Sequence, residues 1–140
     1  MTLTEFLLAR IAEDEDVARA ACLRASTRYR PHPEITRWRY VEDEEVVFDY
    51  DFGDSWPHYV TMDNEGIHAS VNEVTGRHIA RHDPARVLAE CETKRRIVDL
   101  CSDRVSHSAV GGRGCTECGV LSTLALPYAD HPDYLQEWKP

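Results

Sequence analysis

Four residues in the carboxyl-terminal half, Cys101, His107, Cys115 and Cys118, are of the types that hold a tetrahedral metal ion. Cys115-Thr116-Glu117-Cys118 is a C-x-x-C turn, which supplies two thiolates at little loop-closure cost. Cys101 stands at the end of a long helical pattern, and a glycine-containing stretch then returns His107 towards the thiol pair. Thiolates and imidazole are the donors Zn(II) prefers, and four protein ligands leave no position for water, so the expected cofactor is a structural Zn(II). Two alternatives use the same residues. The thiols are unligated, or Cys115 and Cys118 form a redox dithiol, although no βαβ pattern of the thioredoxin kind precedes them.

His78 and His82 form a second candidate metal pair. They are four residues apart, a spacing that places both imidazoles on one helix face. No H-E-x-x-H glutamate lies between them, and Asp83-Pro84 restarts a helix directly after. A metal-dependent hydrolase or nuclease using His78, His82 and Asp83 is therefore kept as an alternative function. No G-x-S-x-G elbow, P-loop or dinucleotide-binding glycine set occurs in the chain. The reading of enzyme activity stays open and leans against it, with no catalytic residue assigned.

The elements that must position these groups follow from hydrophobic period. Thr2-x-x-Glu5 is a capping-box pattern, and Leu3, Leu7 and Ile11 repeat at helical spacing, which predicts a helix over 3–24. Cys22 near its end is read as a small core residue. From Thr36 to Val71 the period changes to alternation, which predicts an antiparallel meander of three or four strands. The expected register pairs Trp38 with Tyr50 and Tyr40 with Phe48, and sets Arg37 against Asp51 and Arg39 against Asp49. Strands are expected at Trp56–Met62 and Ile67–Val71. A second helical region is expected from Gly76 or Arg77, then a long helix from Pro84 to Cys101, capped by Asp83. On that helix Cys91 is read as core, and Glu90–Lys94 and Glu92–Arg96 as i,i+4 pairs. Leu121, Leu124 and Ala125 predict a short helix closed by Pro127, and Trp138 a last anchor for the tail.

A chain of 140 residues fits one domain, 1–140, with 101–118 as a zinc-binding loop. Apolar content of 42% and charged content of 29% are ordinary for a globular protein. No basic n-region or apolar span is present, so the expected location is the cytoplasm, without membrane association. Reducing conditions there disfavour disulfides for the five cysteines. The net charge of −9 opposes general nucleic-acid binding. A basic stretch, Arg77, Arg81, Arg86, Lys94, Arg95 and Arg96, nevertheless supports a DNA-associated regulator as a further alternative. Glu13, Asp14, Glu15 and Asp16 make the expected interaction surface for a protein partner.

The runs His78-Ile-Ala-Arg-His82-Asp-Pro-Ala-Arg-Val-Leu88, Lys94-Arg-Arg-Ile-Val98 and Leu124-Ala-Leu-Pro-Tyr-Ala-Asp-His-Pro-Asp-Tyr134 resemble a family of small uncharacterised proteins of actinobacteria and their phages. Phe6-Leu7-x-Ala-Arg10-Ile-x-Glu-Asp14-Glu extends the resemblance, which covers the ends of the chain and the long helix. The family pattern carries a His at the position of Cys101, then a C-x-x-C and a further Cys before the Leu-Ala-Leu-Pro-Tyr segment. Here Cys118 has the spacing of that last Cys and only Cys115 precedes it nearby, one thiol fewer. The resemblance implies an accessory or host-modulating protein of a phage or mobile element and brings no activity with it.

The expected architecture is α+β: an N-terminal helix, a three- or four-stranded antiparallel sheet, a long helix packed on the sheet, and a metal-tied C-terminal loop with a short helix. The expected function is that of a non-catalytic, zinc-stabilised interaction module with an unidentified protein partner.

Overall fold

The computed structural model describes residues 1–24, 35–42, 45–50, 53, 58–61, 69–102 and 119–140. Among them are four α-helices, α1 (Leu3–Arg24), α2 (Glu73–Arg81), α3 (Pro84–Ser102) and α4 (Val120–Ala125), and two strands, β1 (Trp38–Val41) and β2 (Glu45–Phe48). Two 3-10 turns, Leu126–Tyr128 and Gln136–Trp138, follow α4. The class is mixed α+β. The chain divides into two compact units, one formed by Met1–Glu15 with Glu90–Pro140 and the other by Asp16–Ala89.

In the first unit, α1 starts where the capping box places it. Glu5 N–H donates to Thr2 Oγ1 at 3.2 Å, and Thr2 N–H donates back to Glu5 Oε2 at 2.7 Å, which satisfies two amides that a helix start leaves open. The backbone N–H of Thr2 holds the Glu5 carboxyl below its ordinary range, with the Thr2 hydroxyl adding to the effect. Leu3, Phe6, Leu7 and Ile11 form the buried stripe of α1, and Cys91 and Val98 that of α3. Leu121 and Ala125 of α4 are buried, as are Tyr134 and Trp138 of the tail.

Phe6 is fully buried and is the aromatic hub of this unit. Its ring centroid lies 6.4 Å from Tyr128, 5.7 Å from His131, 5.9 Å from Tyr134 and 5.0 Å from Trp138. The first three contacts are edge-on, the geometry that sets the positive rim of one ring against the negative face of another. Trp138 is thus the anchor expected of the tail.

In the second unit, β1 and β2 form an antiparallel hairpin with Trp38 opposite Phe48, Arg39 opposite Val47, Tyr40 opposite Val46 and Val41 opposite Glu45. The expected pairing of Trp38 with Tyr50 and Tyr40 with Phe48 is two residues out of register. β2 opens at Glu45, a residue expected in the loop, and Val46 and Val47 after it are buried within the strand. A two-residue slip preserves the faces, and Arg39 still meets Asp49 at 3.5 Å, diagonally. Asp51 lies outside the described residues.

Beyond β2 the ladder continues as a bridge between Val47 and Tyr59, with Phe48 N–H donating to His58 C=O at 2.9 Å and Val60 N–H to Val46 C=O at 2.7 Å. The expected strand at Trp56–Met62 is described only at 58–61, where it makes this bridge. Of Ile67–Val71, residues 69–71 are non-strand backbone, with Ala69 N–H donating to Thr61 C=O at 2.8 Å, and 67 and 68 lie outside the described residues.

The helix laid on both strands is α2, a place expected for the longer α3. It begins at Glu73, three residues before the expected Gly76, because Asn72 caps it by accepting from Thr75 N–H at 3.0 Å. Gly76 faces Tyr40 of β1 at close range. A Cβ there would stand 2.5 Å from Tyr40 Cε2 and 3.1 Å from Val71 Cγ2, so only a hydrogen fits. The α3 start is as expected: Asp83 Oδ1 accepts from Arg86 N–H at 2.8 Å, and Pro84 occupies the first helical position.

Replacing Gly76 with alanine forces the Tyr40 ring away and should lower stability by about 1–3 kcal/mol, despite the better helix propensity of alanine. Urea unfolding of the variant would show it as a lower midpoint with an unchanged slope; an unchanged or raised midpoint would contradict the close approach.

Candidate metal and interaction sites

Of the Cys101, His107, Cys115 and Cys118 set, only Cys101 is among the described residues; His107, Cys115 and Cys118 lie outside them. Cys101 sits in the last turn of α3, half-buried and without a disulfide partner among the described residues. The other described thiols behave differently. Cys22 and Cys91 are 5% and 1% exposed, the core positions expected of both. Burial pushes each thiol up from its ordinary value, and Cys22 donates its S–H to Ala18 C=O at 3.3 Å. Such thiols are protonated and sheltered, and so poor nucleophiles and poor ligands. No group of three or more His, Cys, Asp or Glu side chains placed to hold a metal ion occurs among the described residues.

His78 and His82 are brought together as their spacing predicts. Both are exposed, and their ring centroids are 4.5 Å apart. His78 lies in the last turn of α2 and His82 is its C-cap residue, with its N–H directed at the carbonyls of His78 and Ile79. Asp83 does not join them as a free carboxylate. It is 4% exposed; Oδ1 caps α3, while Oδ2 accepts from Trp38 N–H at 3.5 Å and lies 3.9 Å from Arg37 Nη1. Its environment is that of a structural staple between β1 and the start of α3.

The acidic run of α1 is placed residue by residue. Glu13 pairs with Arg10 at 2.8 Å and remains largely exposed, and Asp16, with its side chain 81% exposed, lies 3.7 Å from Arg19. Asp14 and Glu15 turn inward. Glu15 receives Arg95 through Nε at 2.8 Å and Nη2 at 3.2 Å, a two-pronged contact. Asp14 accepts from Lys94 Nζ at 3.3 Å and from the Tyr128 hydroxyl at 2.6 Å, and Lys94 also donates to that hydroxyl at 2.8 Å. Lys94, expected beside Glu90 on the wet face, therefore reaches into a three-membered network. The expected Glu92–Arg96 pair is present at 2.8 Å.

This network and Arg10 are the features that periodicity does not disclose. Arg10 is 9% exposed, lies 5.4 Å over the Phe6 ring, and contacts His131 Nε2 as well as Glu13. The available signal is its place four residues after Phe6, on the apolar side of α1, where a cation is held only if partners await it. Tyr128 carries a weaker signal, a polar-tipped aromatic directly after Pro127.

Burial raises the Tyr128 hydroxyl above its ordinary value, and the hydrogen bond it donates to Asp14 raises it further. Burial pulls Lys94 down, but the bonds to Tyr128 and Asp14 outweigh it and leave the ammonium raised. A group with a raised folded pKa stabilises fully below its unfolded value and loses that contribution as pH climbs through the folded one. Tyr128→Phe should therefore cost about 1–2 kcal/mol near neutrality and flatten the loss of stability above about pH 10. Denaturant melts of both proteins across the alkaline range would check this; parallel curves would contradict the network.

A family model described as a family of unknown function, DUF6221, matches residues 1–140. No curated protein and no solved structure matches the chain. No helix among the described residues is long and apolar enough to cross a membrane. With the match running from the first residue to the last, the chain belongs to the DUF6221 family.

Proposed function

We propose that this protein is a non-catalytic interaction module that presents its folded surface to a protein partner, with the segment from Cys101 to Cys118 tied by a structural Zn(II). The observation that carries the reading is the division of its thiols. Two are sealed in cores with their protons retained, whereas Cys101 ends α3 half-exposed and leads directly into the sequence that holds His107, Cys115 and Cys118. A zinc ligand must be reachable, and Cys101 is the one described thiol that is not buried. The resemblance to proteins of actinobacteria and their phages supports an accessory or host-modulating role, with the protein partner unidentified. A reducing cytoplasm suits such a site.

The alternatives have less support. A hydrolase or nuclease built on His78, His82 and Asp83 requires Asp83 to abandon its hold on α3. A DNA-binding role for the basic stretch requires charges that already meet carboxylates: Arg77 with Glu73, Lys94 with Asp14, Arg95 with Glu15 and Arg96 with Glu92.

Elemental mass spectrometry of the reduced protein should find about one zinc per chain, lost in Cys101→Ser and in the double variant Cys115→Ser, Cys118→Ser, with a large fall in melting temperature. Metal-free, fully folded wild type would overturn the zinc-tied reading.

A further inference from the structure

We infer that His78 and His82 form a second, two-ligand site on the surface, a bis-imidazole chelate for a divalent transition ion of tetragonal or octahedral preference, of the Ni(II) or Cu(II) class. The proposal concerns the second unit and is independent of the cysteine segment.

Three observations converge on it. The first is geometric. With metal–nitrogen bonds of about 2.0–2.1 Å, two imidazoles on one ion have ring centres roughly 4.5 Å apart when they sit at about 90° to each other, and roughly 5.2 Å apart at a tetrahedral angle. The rings of His78 and His82 are 4.5 Å apart and inclined at 45°. That centroid separation is compatible with neighbouring positions on a square or octahedral ion once the rings turn their nitrogens inward, the geometry typical of Cu(II) and Ni(II) with nitrogen and oxygen donors.

The second observation is freedom. Both rings are exposed, and the broad terminal torsion of histidine lets each present either nitrogen to a shared ion. The third is the field at this end of α2. His78 lies in the last turn and His82 caps it, so an ion held between them meets the negative end of the helix dipole, with the exposed Arg81 guanidinium in the same turn opposing it. The backbone there is held by the His82 N–H at 3.2 Å from His78 C=O and 3.1 Å from Ile79 C=O. Two donors on a preformed turn bind as a chelate, the second at high effective concentration once the first is engaged. The remaining coordination positions are open to water or to a donor from another molecule, which makes the pair a docking point for metal-bound ligands as well as for the ion.

Titration of the full-length protein with Ni(II) alone, followed by calorimetry, tests the assignment. Wild type should bind one ion in an event that weakens on the order of 100-fold in His78→Ala and in His82→Ala. Far-ultraviolet circular dichroism would confirm that these exposed substitutions leave the fold intact. The variant Cys101→Ser, Cys115→Ser, Cys118→Ser, titrated at a temperature where circular dichroism shows it folded, should retain the event, which separates this site from the zinc segment. Equal Ni(II) affinity in wild type and both histidine variants, or loss of the event only in the cysteine variant, would overturn the inference.

Discussion

The burial of Phe6 is the contact on which the first unit is organised. Residues from the two ends of the chain meet there, with the rings of Tyr128, His131, Tyr134 and Trp138 gathered round one side chain in the second turn of α1. Contacts so distant in sequence carry a loop-closure cost that local helix propensity does not offset. They persist because each aromatic removes a large apolar area from water and the edge-on pairs add about 0.5–1.5 kcal/mol apiece. The tail after α4 has little regular structure of its own, and its two short turns are fixed by this cluster.

Around that apolar hub, charge serves mainly as a set of internal fasteners. Arg10 lies over Phe6, Lys94 and Tyr128 converge on Asp14, and Arg95 grips Glu15. In the second unit Asp83 joins the start of β1 to the start of α3. A chain of net charge −9 thus directs several acids and bases into its own frame. Among the described residues, candidate ligands that face solvent include His78 and His82, which approach each other at the end of α2, and half-exposed Cys101 at the end of α3, which leads into the Cys/His-bearing sequence.

Local signals read truly where a single short-range rule decides the outcome. The Thr2–Glu5 capping box set the start of α1, and Asp83-Pro84 set the start of α3; each depends on residues within one turn of the element it begins. The core positions of Cys22 and Cys91 and the anchoring of Trp138 were legible from period and hydrophobicity. The hairpin was legible as a hairpin but not in register, because a slip of two residues keeps the same faces inward and alternation cannot distinguish the two pairings. The α2 start was misplaced because Gly76 reads as a helix boundary, whereas it is a contact residue pressed on Tyr40. Asp14, Glu15 and Lys94 read as solvated surface, since an ion pair spanning eighty positions leaves no local trace. Of the candidate sites, the His78–His82 approach follows from helix geometry alone.

We propose that a structural metal is held through Cys101 and the thiols that follow it. X-ray absorption at the zinc edge on the purified, reduced protein tests this most directly, because sulfur and nitrogen neighbours differ in distance by about 0.2–0.3 Å. The account predicts a four-coordinate ion with three sulfur neighbours near about 2.3 Å and one nitrogen near about 2.0 Å. A shell of nitrogen and oxygen alone would contradict it and move the metal to the histidines.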